Sequence, residues 1–522
     1  MDEAETTMQI EEITVSPTIL KVAAFLDRLS LLLRLEPLVL LLVPVIYSVS
    51  VFTKGIGFDP DSYYHIGTAG LYASQGWVSS FPWLKFTALG DSFTNVHLGQ
   101  HLLLAPLTWF FEPLTALKLS VVILSGALVF SIYTVLKRWE IPHPALWALF
   151  GAFASQSFIM INSSLKGGTL FFILFVWFLD AVWIRSVRRS FILAWLSVYI
   201  YVGAVILIPA AFVFVFMHGL NEKVWEWKLL AAVAVGLLAG YIINPFWAGQ
   251  WIHTARELTT IFFRPEGVVA GEFFGGEWHS LGGGTLLRWA WLPLALWFVL
   301  LVRQLLRSST TGTAAAAGVV ISLGLLAASL IAAKFLQLFI IASLLFLPRM
   351  VYAMRPWHKW LAPALVVVAF IAAVFNLNSS YRAIHSPNRI DAKEYRVIAE
   401  QLKQITPEKQ VVVAPWDDFP GLFLFNRHNN YVAGMNPLFL RWASEKRFNA
   451  FVYLYQGKVR DPEKLLPMFF EDAEIILVRR KPRNPGEERL NEQLSLNKYF
   501  EEVPSATAIW RIFRLKKHSF EQ

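Results

Sequence analysis

Within seven residues the chain carries two carboxylates, two phenols and an imidazole, in the run Asp59-Pro60-Asp61-Ser62-Tyr63-Tyr64-His65. Such a set can supply oxygen ligands to a divalent cation, or hold one carboxylate as a general base through hydrogen bonds from its neighbours. A plain turn is the competing reading, because Asp-Pro and Asp-Ser pairs are common turn formers. Further on, Asp91, Asn95, His97, Gln100 and His101 make a second polar group, whose two histidines stand four apart and so share one helical face. With no HExxH pattern and no third ligand nearby in the sequence, the spacing favours hydrogen bonding to a sugar or phosphate over zinc. A third group, His253, Arg256, Glu257, Arg264, Glu266, Glu272, Glu277 and His279, is spread among glycines over 247–284. That stretch is long enough to act as a lid; paired charges on a solvated loop are the alternative.

The elements that position these groups must lie in lipid. Of 522 residues 56% are apolar and only 16% charged, with 42 Phe and 21 Trp, whereas soluble domains are about a quarter charged. The 46 Lys and Arg exceed the 37 Asp and Glu, for a net charge of +9. Basic residues of this kind retain cytoplasmic loops and meet anionic headgroups, so no nucleic-acid partner is called for. The absence of Cys excludes disulfides, thiolate metal sites and a Cys nucleophile.

Residues 1–34 begin acidic and polar, with no basic stretch ahead of a short apolar one, and read as a cytoplasmic N-terminal segment rather than a cleaved signal. A membrane domain follows over 35–376. Apolar runs near 36–52, 113–136, 142–161, 169–184, 190–204, 205–219, 228–245, 286–302, 313–332, 335–348 and 359–376 give about eleven spans, and up to 13, by the length rule. Basic clusters at 137–138, 185–189, 303–307 and 349–359 belong inside, and the loops near 53–112 and 246–285 outside. For these sides to agree, 190–218 must cross twice, with Pro209 near the second crossing. From 377 to 522 the pattern changes to that of an α/β domain, with an amphipathic helix at 393–405 and strands at 410–414, 474–478 and 508–515. An odd number of spans places this domain outside. The expected fold is thus mainly α: a polytopic membrane helix bundle with a C-terminal extracytoplasmic α/β domain.

The Asp61-Ser62-Tyr63-Tyr64-His65 run directly after the first span, the long first external loop, the many-span body and the C-terminal domain resemble the GT-C superfamily of membrane glycosyltransferases. Within it the likeness is greatest to catalytic subunits of bacterial and archaeal oligosaccharyltransferases, over most of the chain in architecture but only in short patches of motif. The resemblance implies that Asp61, with Asp59 as fallback, helps hold a divalent cation, Mg2+ or Mn2+, and activates the acceptor, while His65 or a Tyr orients the carboxylate. It also implies an acceptor role for Trp416, Asp418 and Phe419, which match the first Trp, the Asp and the Tyr of the family's WWDYG motif. Asp417 replaces its second Trp and Pro420 its Gly. Those departures argue against recognition of an Asn-x-Ser/Thr sequon, and a Trp-Asp-Asp turn after a strand is the bland alternative.

Where that family places an Asp/Glu pair before its fourth span, Asn162-Ser163-Ser164-Leu165-Lys166-Gly167-Gly168 has no carboxylate. Either a metal needs the donor's phosphate to complete its shell, or Lys166 supplies the positive charge; a lone loop lysine is the third option. Lys334 takes the place of a basic residue near the donor phosphate, with a snorkelling lysine as the alternative. His97 and His101 join the phosphate or sugar contacts, and Glu277 is the acidic residue contributed by a mobile external loop. The function so implied is transfer of a sugar or glycan from a polyprenyl-phosphate or polyprenyl-diphosphate donor to a glycan, lipid or protein acceptor at the outer face of the plasma (inner) membrane. A protein N-glycosylating oligosaccharyltransferase is the nearest rival. A transporter or flippase is the rival from another class, and would show two matching halves and broken, charged helices at the midplane.

Overall fold

The computed structural model describes residues 40–41, 43–47, 59–262, 279–307, 313–353, 358–384 and 389–516. The N-terminal segment, most of the first expected span and Glu277 lie outside the described residues. What is described is mainly helical, with one small sheet near the C-terminus.

Six helices organise the first half: α1 (Asp61–Gln75), α2 (Leu98–Phe110), α3 (Pro113–Arg138), α4 (Pro144–Phe153), α5 (Gln156–Asn162) and α6 (Gly167–Trp183). The long helix α3 shows why such a sequence becomes a span. Pro113 occupies its first turn, the Glu112 carboxylate accepts the Leu114 N–H at 3.2 Å, and Lys137 and Arg138 sit in the last turn, where they complement the helix dipole. Its Ser120 and Ser125 hydroxyls donate to carbonyls four residues back, so neither is left for lipid to satisfy. Ile123 and Phe130 are exposed on its outer side, a surface suited to lipid and not to water.

Among the described residues four helices are long and apolar enough to cross a membrane: Pro113–Arg138, Val202–Glu222, Gly283–Val302 and Ala333–Tyr352. The pair α4 and α5 makes a fifth if counted as one broken span, and Gly167–Trp183, Trp227–Ile243 and Ala315–Ile331 are shorter apolar helices. The expected eleven to 13 spans are therefore not confirmed. A helix of 17 residues is about 26 Å long at about 1.5 Å per residue, short of the ~30 Å hydrocarbon layer. Two helices do replace the single apolar run at 190–218, Val187–Val198 and Leu207–Glu222, separated by a 3-10 turn.

Three expectations need correction. The run 142–161 is not one straight helix: α4 and α5 meet at 87°. Ser155 makes the corner, in extended backbone, by accepting the Phe158 N–H and donating its hydroxyl to the Trp289 carbonyl at 2.5 Å. The stretch expected as loop from 246 opens with a helix, α7 (Trp247–Phe262). The last apolar helix, His358–Ile384, runs on past residue 376.

The C-terminal domain is a mixed five-stranded sheet in the order β2-β1-β3-β5-β4, with β1 (Val411–Val413), β2 (Asn430–Tyr431), β3 (Ala473–Arg479), β4 (Phe500–Val503) and β5 (Trp510–Leu515). The three valines of β1 are wholly buried between two parallel neighbours, as a strand covered on both faces must be. Helix α8 (Ala392–Ile405) is capped by the Asp391 carboxylate and buries Tyr395, Ile398, Ala399 and Leu402, the three-four spacing of one helical face. The short α9 (Phe419–Phe425) follows β1, and α10 (Leu438–Ala443) lies beyond β2.

This domain is fastened to α1 and to the segment that follows it. Arg427 donates to the Gly67 carbonyl of α1 at 2.7 Å, and Trp83 Nε1 donates to the Arg427 carbonyl at 2.9 Å. Phe423 of α9 meets Phe81 and Tyr64, with centroids 5.1 and 6.2 Å apart. A Cβ on Gly67 would come within 3.1 Å of the Phe423 ring, so a glycine lets α1 and α9 approach this closely. Glu112 adds a link at the start of α3: one oxygen caps that helix and the other accepts from Arg396 of α8 at 2.5 Å.

Candidate active site

Asp59 and Asp61 stand at the N-terminus of α1. Asp59 Oδ1 accepts the Asp61 N–H at 3.0 Å and its carbonyl accepts the Ser62 N–H at 3.1 Å, so Asp59 closes the first turn while Asp61 lies within it. Both charges benefit from the positive end of the helix dipole. Opposite them is the loop between α5 and α6, tied down by the Leu165 N–H donating to Ser62 Oγ at 2.9 Å. Lys166, the residue that precedes α6, reaches both acids: its Nζ is 2.7 Å from Asp59 Oδ2 and 4.0 Å from Asp61 Oδ2. Asp61 is the more open of the two, its side chain 34% exposed against 13% for Asp59. The sequence thus named all three members of this cluster, and the fold brings them together.

The histidines form a layer behind. His65 Nδ1 and His101 Nε2 are 2.9 Å apart, both rings are buried, and the His97 ring packs edge-on to His65 at 4.9 Å. His97 Nδ1 donates to the Ile200 carbonyl at 2.8 Å. A Cβ at Gly167 would overlap the His97 ring, so the residue after Lys166 has to be glycine for the loop to lie here. His65 is hydrogen-bonded to His101 rather than turned to the carboxylates, and His101 is enclosed rather than presented to a phosphate. Both rings, of which contacts with the base and the donor are expected, stand buried between α1 and α2.

Burial, with the neighbouring imidazoles adding to it, holds His65 and His101 well below the ordinary imidazole value of 6.5. The folded chain keeps them neutral while the unfolded chain takes up protons below about pH 6.5, so their contribution to stability is full above that value and is lost as the pH falls through it. The expected result is a melting temperature that drops between about pH 7.5 and about pH 5, and drops less in His101→Gln. Equal slopes in the two proteins would contradict the assignment.

A second polar cluster surrounds Lys334. Its Nζ is 3.1 Å from Glu257 Oε2 on α7, and His253 Nε2 lies 3.8 Å from Glu257 Oε1. Burial alone would raise the Glu257 carboxyl, but the charges of Lys334 and His253 hold it at about 2. The His253 ring packs on Phe439 and Trp442 of α10, and Arg256 lies 5.5 Å over the Trp442 ring. Sequence reasoning singled out Glu277 from this stretch; the carboxylate that pairs with Lys334 is Glu257, and the i, i+4 spacing of His253 and Glu257 on one helix was the available signal.

The Trp-Asp-Asp-Phe segment is built into the domain. Asp418 is fully buried, its Oδ1 accepting from Tyr395 at 2.9 Å and Arg479 at 2.7 Å and its Oδ2 from Trp510 Nε1 at 2.9 Å. Arg479 also donates to Asp417 at 2.6 Å and to Glu487 at 3.1 Å. Burial would lower the Arg479 guanidinium, yet its three carboxylate partners push it well above the usual value. Phe419 is fully buried against Phe423 and Tyr431, and Trp416 packs on the sheet core. An acceptor would have to displace these interior contacts to reach Asp418 and Phe419, the residues for which an acceptor role is expected. Tyr395 carries the segment's influence to the other site, its ring lying edge-on to Tyr63 of α1 at 5.7 Å.

A divalent cation fits the carboxylate pair poorly. Among the described residues no group of three or more His, Cys, Asp or Glu could hold a metal, and the space between the two acids is spanned by an ammonium.

No family model and no curated protein matches the sequence. Solved structures do match in shape. An oligosaccharyltransferase from Archaeoglobus fulgidus, solved with Zn and sulfate, is similar with a TM-score of 0.55 at 12% identity, over 84% of this chain and 68% of that one. ArnT from Cupriavidus metallidurans in the apo state gives 0.59 at 11% identity, over 93% and 98%. The arabinofuranosyltransferase AftD from Mycobacteria gives 0.53 at 14% identity over 92% of this chain, which spans only 41% of that one. The chain shares the fold of these GT-C glycosyltransferases; the expected mainly helical body and small C-terminal sheet are present, while the expected number of spans is not confirmed.

Proposed function

We propose that the chain is a membrane glycosyltransferase that moves a sugar or glycan from a polyprenyl-phosphate or polyprenyl-diphosphate donor to an extracytoplasmic acceptor. The observation that carries this reading is the carboxylate pair Asp59 and Asp61, set on the first turn of α1 and gripped by Lys166, in a fold shared with enzymes of that class. The acceptor hydroxyl or amide attacks the anomeric carbon with inversion. Its proton passes to Asp61, the bond from the anomeric carbon to the phosphate oxygen breaks, and the polyprenyl phosphate leaves with that electron pair. The phosphate is a good leaving group, so the protein's share of the work is positioning and a nearby positive charge. Lys166 supplies that charge beside the acids, and Lys334, with Arg256 of α7, meets the donor phosphate.

Because the residues beside Asp61 suit a metal poorly, no step in this scheme runs through one. Acceptor choice falls to the soluble domain, through Trp416, and to the external loop that carries Glu277. In this reading the N-terminus is cytoplasmic and the domain faces the exterior of the plasma membrane. The burial of Asp418 weighs against a sequon pocket of the oligosaccharyltransferase kind, since a sequon hydroxyl needs exposed partners.

Mass spectrometry of the full chain extracted under mild conditions tests the donor class. A co-purifying polyprenyl phosphate, with or without sugar, is expected, and its occupancy should fall in Lys334→Ala. Phospholipid alone, in both proteins, would count against a polyprenyl donor.

A further inference from the structure

We propose that the Lys166 ammonium does the work of a metal ion between Asp59 and Asp61, making this a carboxylate site with a built-in cation. The proposal rests on the glycosyltransferase reading for its purpose, but its geometry stands by itself. Nζ is in direct contact with Asp59 Oδ2 at 2.7 Å and stands 4.0 Å from Asp61 Oδ2, so one charge serves both acids. Its place is fixed from three sides. Leu165 is hydrogen-bonded to Ser62 on the same turn as Asp61, the backbone at Lys166 is extended where α6 begins, and Gly167 is pressed on the His97 ring. A lysine merely drifting on a loop would have none of these restraints.

A hard divalent cation needs about six oxygen ligands and tolerates no ammonium in its shell. To enter here it would first have to displace Lys166 from Asp59. The substitution also changes what Asp61 can do. A carboxylate oxygen bonded to a divalent ion has a lone pair committed to the metal, whereas the Lys166 ammonium stands 4.0 Å from Asp61 Oδ2, beyond hydrogen-bond distance. The unequal contacts therefore divide the labour: Asp59 is the acid that Lys166 holds, and Asp61, the more exposed, is the one that takes the proton. Lys166 is a positioning residue in this scheme, acting on substrate through the two acids.

The test exchanges the charge. Full-length wild type, Lys166→Glu, Lys166→Met and the double variant Lys166→Glu with Asp59→Asn are purified in nanodiscs, checked for unchanged melting, and titrated with Mn2+ by electron paramagnetic resonance. Lys166→Glu should bind Mn2+ at least about tenfold more tightly than wild type, because a third carboxylate now completes an oxygen site. The double variant should lose that gain. Transfer by wild type should be unaffected by EDTA, Lys166→Met should be impaired with or without metal, and any transfer by Lys166→Glu should require Mn2+. Asp59-dependent Mn2+ binding by wild type, or no gain in a folded Lys166→Glu protein, overturns the proposal. The binding arm needs no substrate. A wild type without transfer activity would therefore count against the glycosyltransferase reading while the Mn2+ titration still decided the role of Lys166.

Discussion

Asp61→Asn is expected to lower the turnover of sugar transfer by about 10²- to 10⁴-fold, the usual contribution of a positioned general base. The amide keeps the size of the side chain and leaves the Asp59–Lys166 contact in place. KM for the lipid donor should therefore change little, and the melting temperature should stay within the scatter of the wild type. A loss confined to KM would mean that Asp61 binds substrate rather than accepting its proton. Asp59→Asn should act differently: it releases Lys166, so it should disturb donor handling and turnover together.

The largest effect on stability is expected at Asp418. Asp418→Ala leaves Arg479, Trp510 and Tyr395 without the acceptor they share in the interior. Removing one partner of a buried ion pair typically costs about 3–5 kcal/mol, since the remaining charge is stranded. Asp417 and Glu487 still contact Arg479 at 2.6 and 3.1 Å, which softens the loss without cancelling it, because Trp510 and Tyr395 lose the carboxylate they donate to. Thermal or denaturant unfolding followed by Trp fluorescence would report it, and a change below about 1 kcal/mol would remove Asp418 from the architecture described here. Since Tyr395 backs Tyr63 on α1, the same variant should also reduce transfer, and by more than its stability loss explains if the domain positions that helix.

Periodicity and composition made much of the fold readable. Helix α8 could be placed within a residue because Tyr395, Ile398, Ala399 and Leu402 recur on one face, and the strands at 411, 473 and 510 stood out by their β-branched and aromatic content. Direction was harder to read. An apolar run reports that a segment is buried but not where it turns, so the 87° corner between α4 and α5 was hidden apart from Ser155. Exposed apolar residues such as Phe298 and Phe370 give the same signal whether a helix crosses fully or not, which is why apolar runs alone do not fix the number of spans.

The site divided along similar lines. Asp59 and Asp61 were visible as a local cluster, and Lys166 as a charge in a loop without acids. The contact that joins them could not be read from either segment alone. The setting of Asp418 was not legible in the motif, because it is made by partners remote in sequence: Tyr395, Arg479 and Trp510, which are 23, 61 and 92 residues away. A short motif records which residues are adjacent along the chain, whereas burial is decided by what folds over them. The histidines show the same effect, since the i, i+4 pair supplied one face and His65 closed over it from another helix.

The most direct test of the central claim is to follow both products at once from a short-chain polyprenyl-phosphate sugar supplied to the full-length protein in nanodiscs. The account predicts one polyprenyl phosphate released for each sugar transferred, with the anomeric configuration inverted and both signals lost together in Asp61→Asn. Transfer that proceeds unchanged in both Asp61→Asn and Asp59→Asn, or with the anomeric configuration retained, would contradict it.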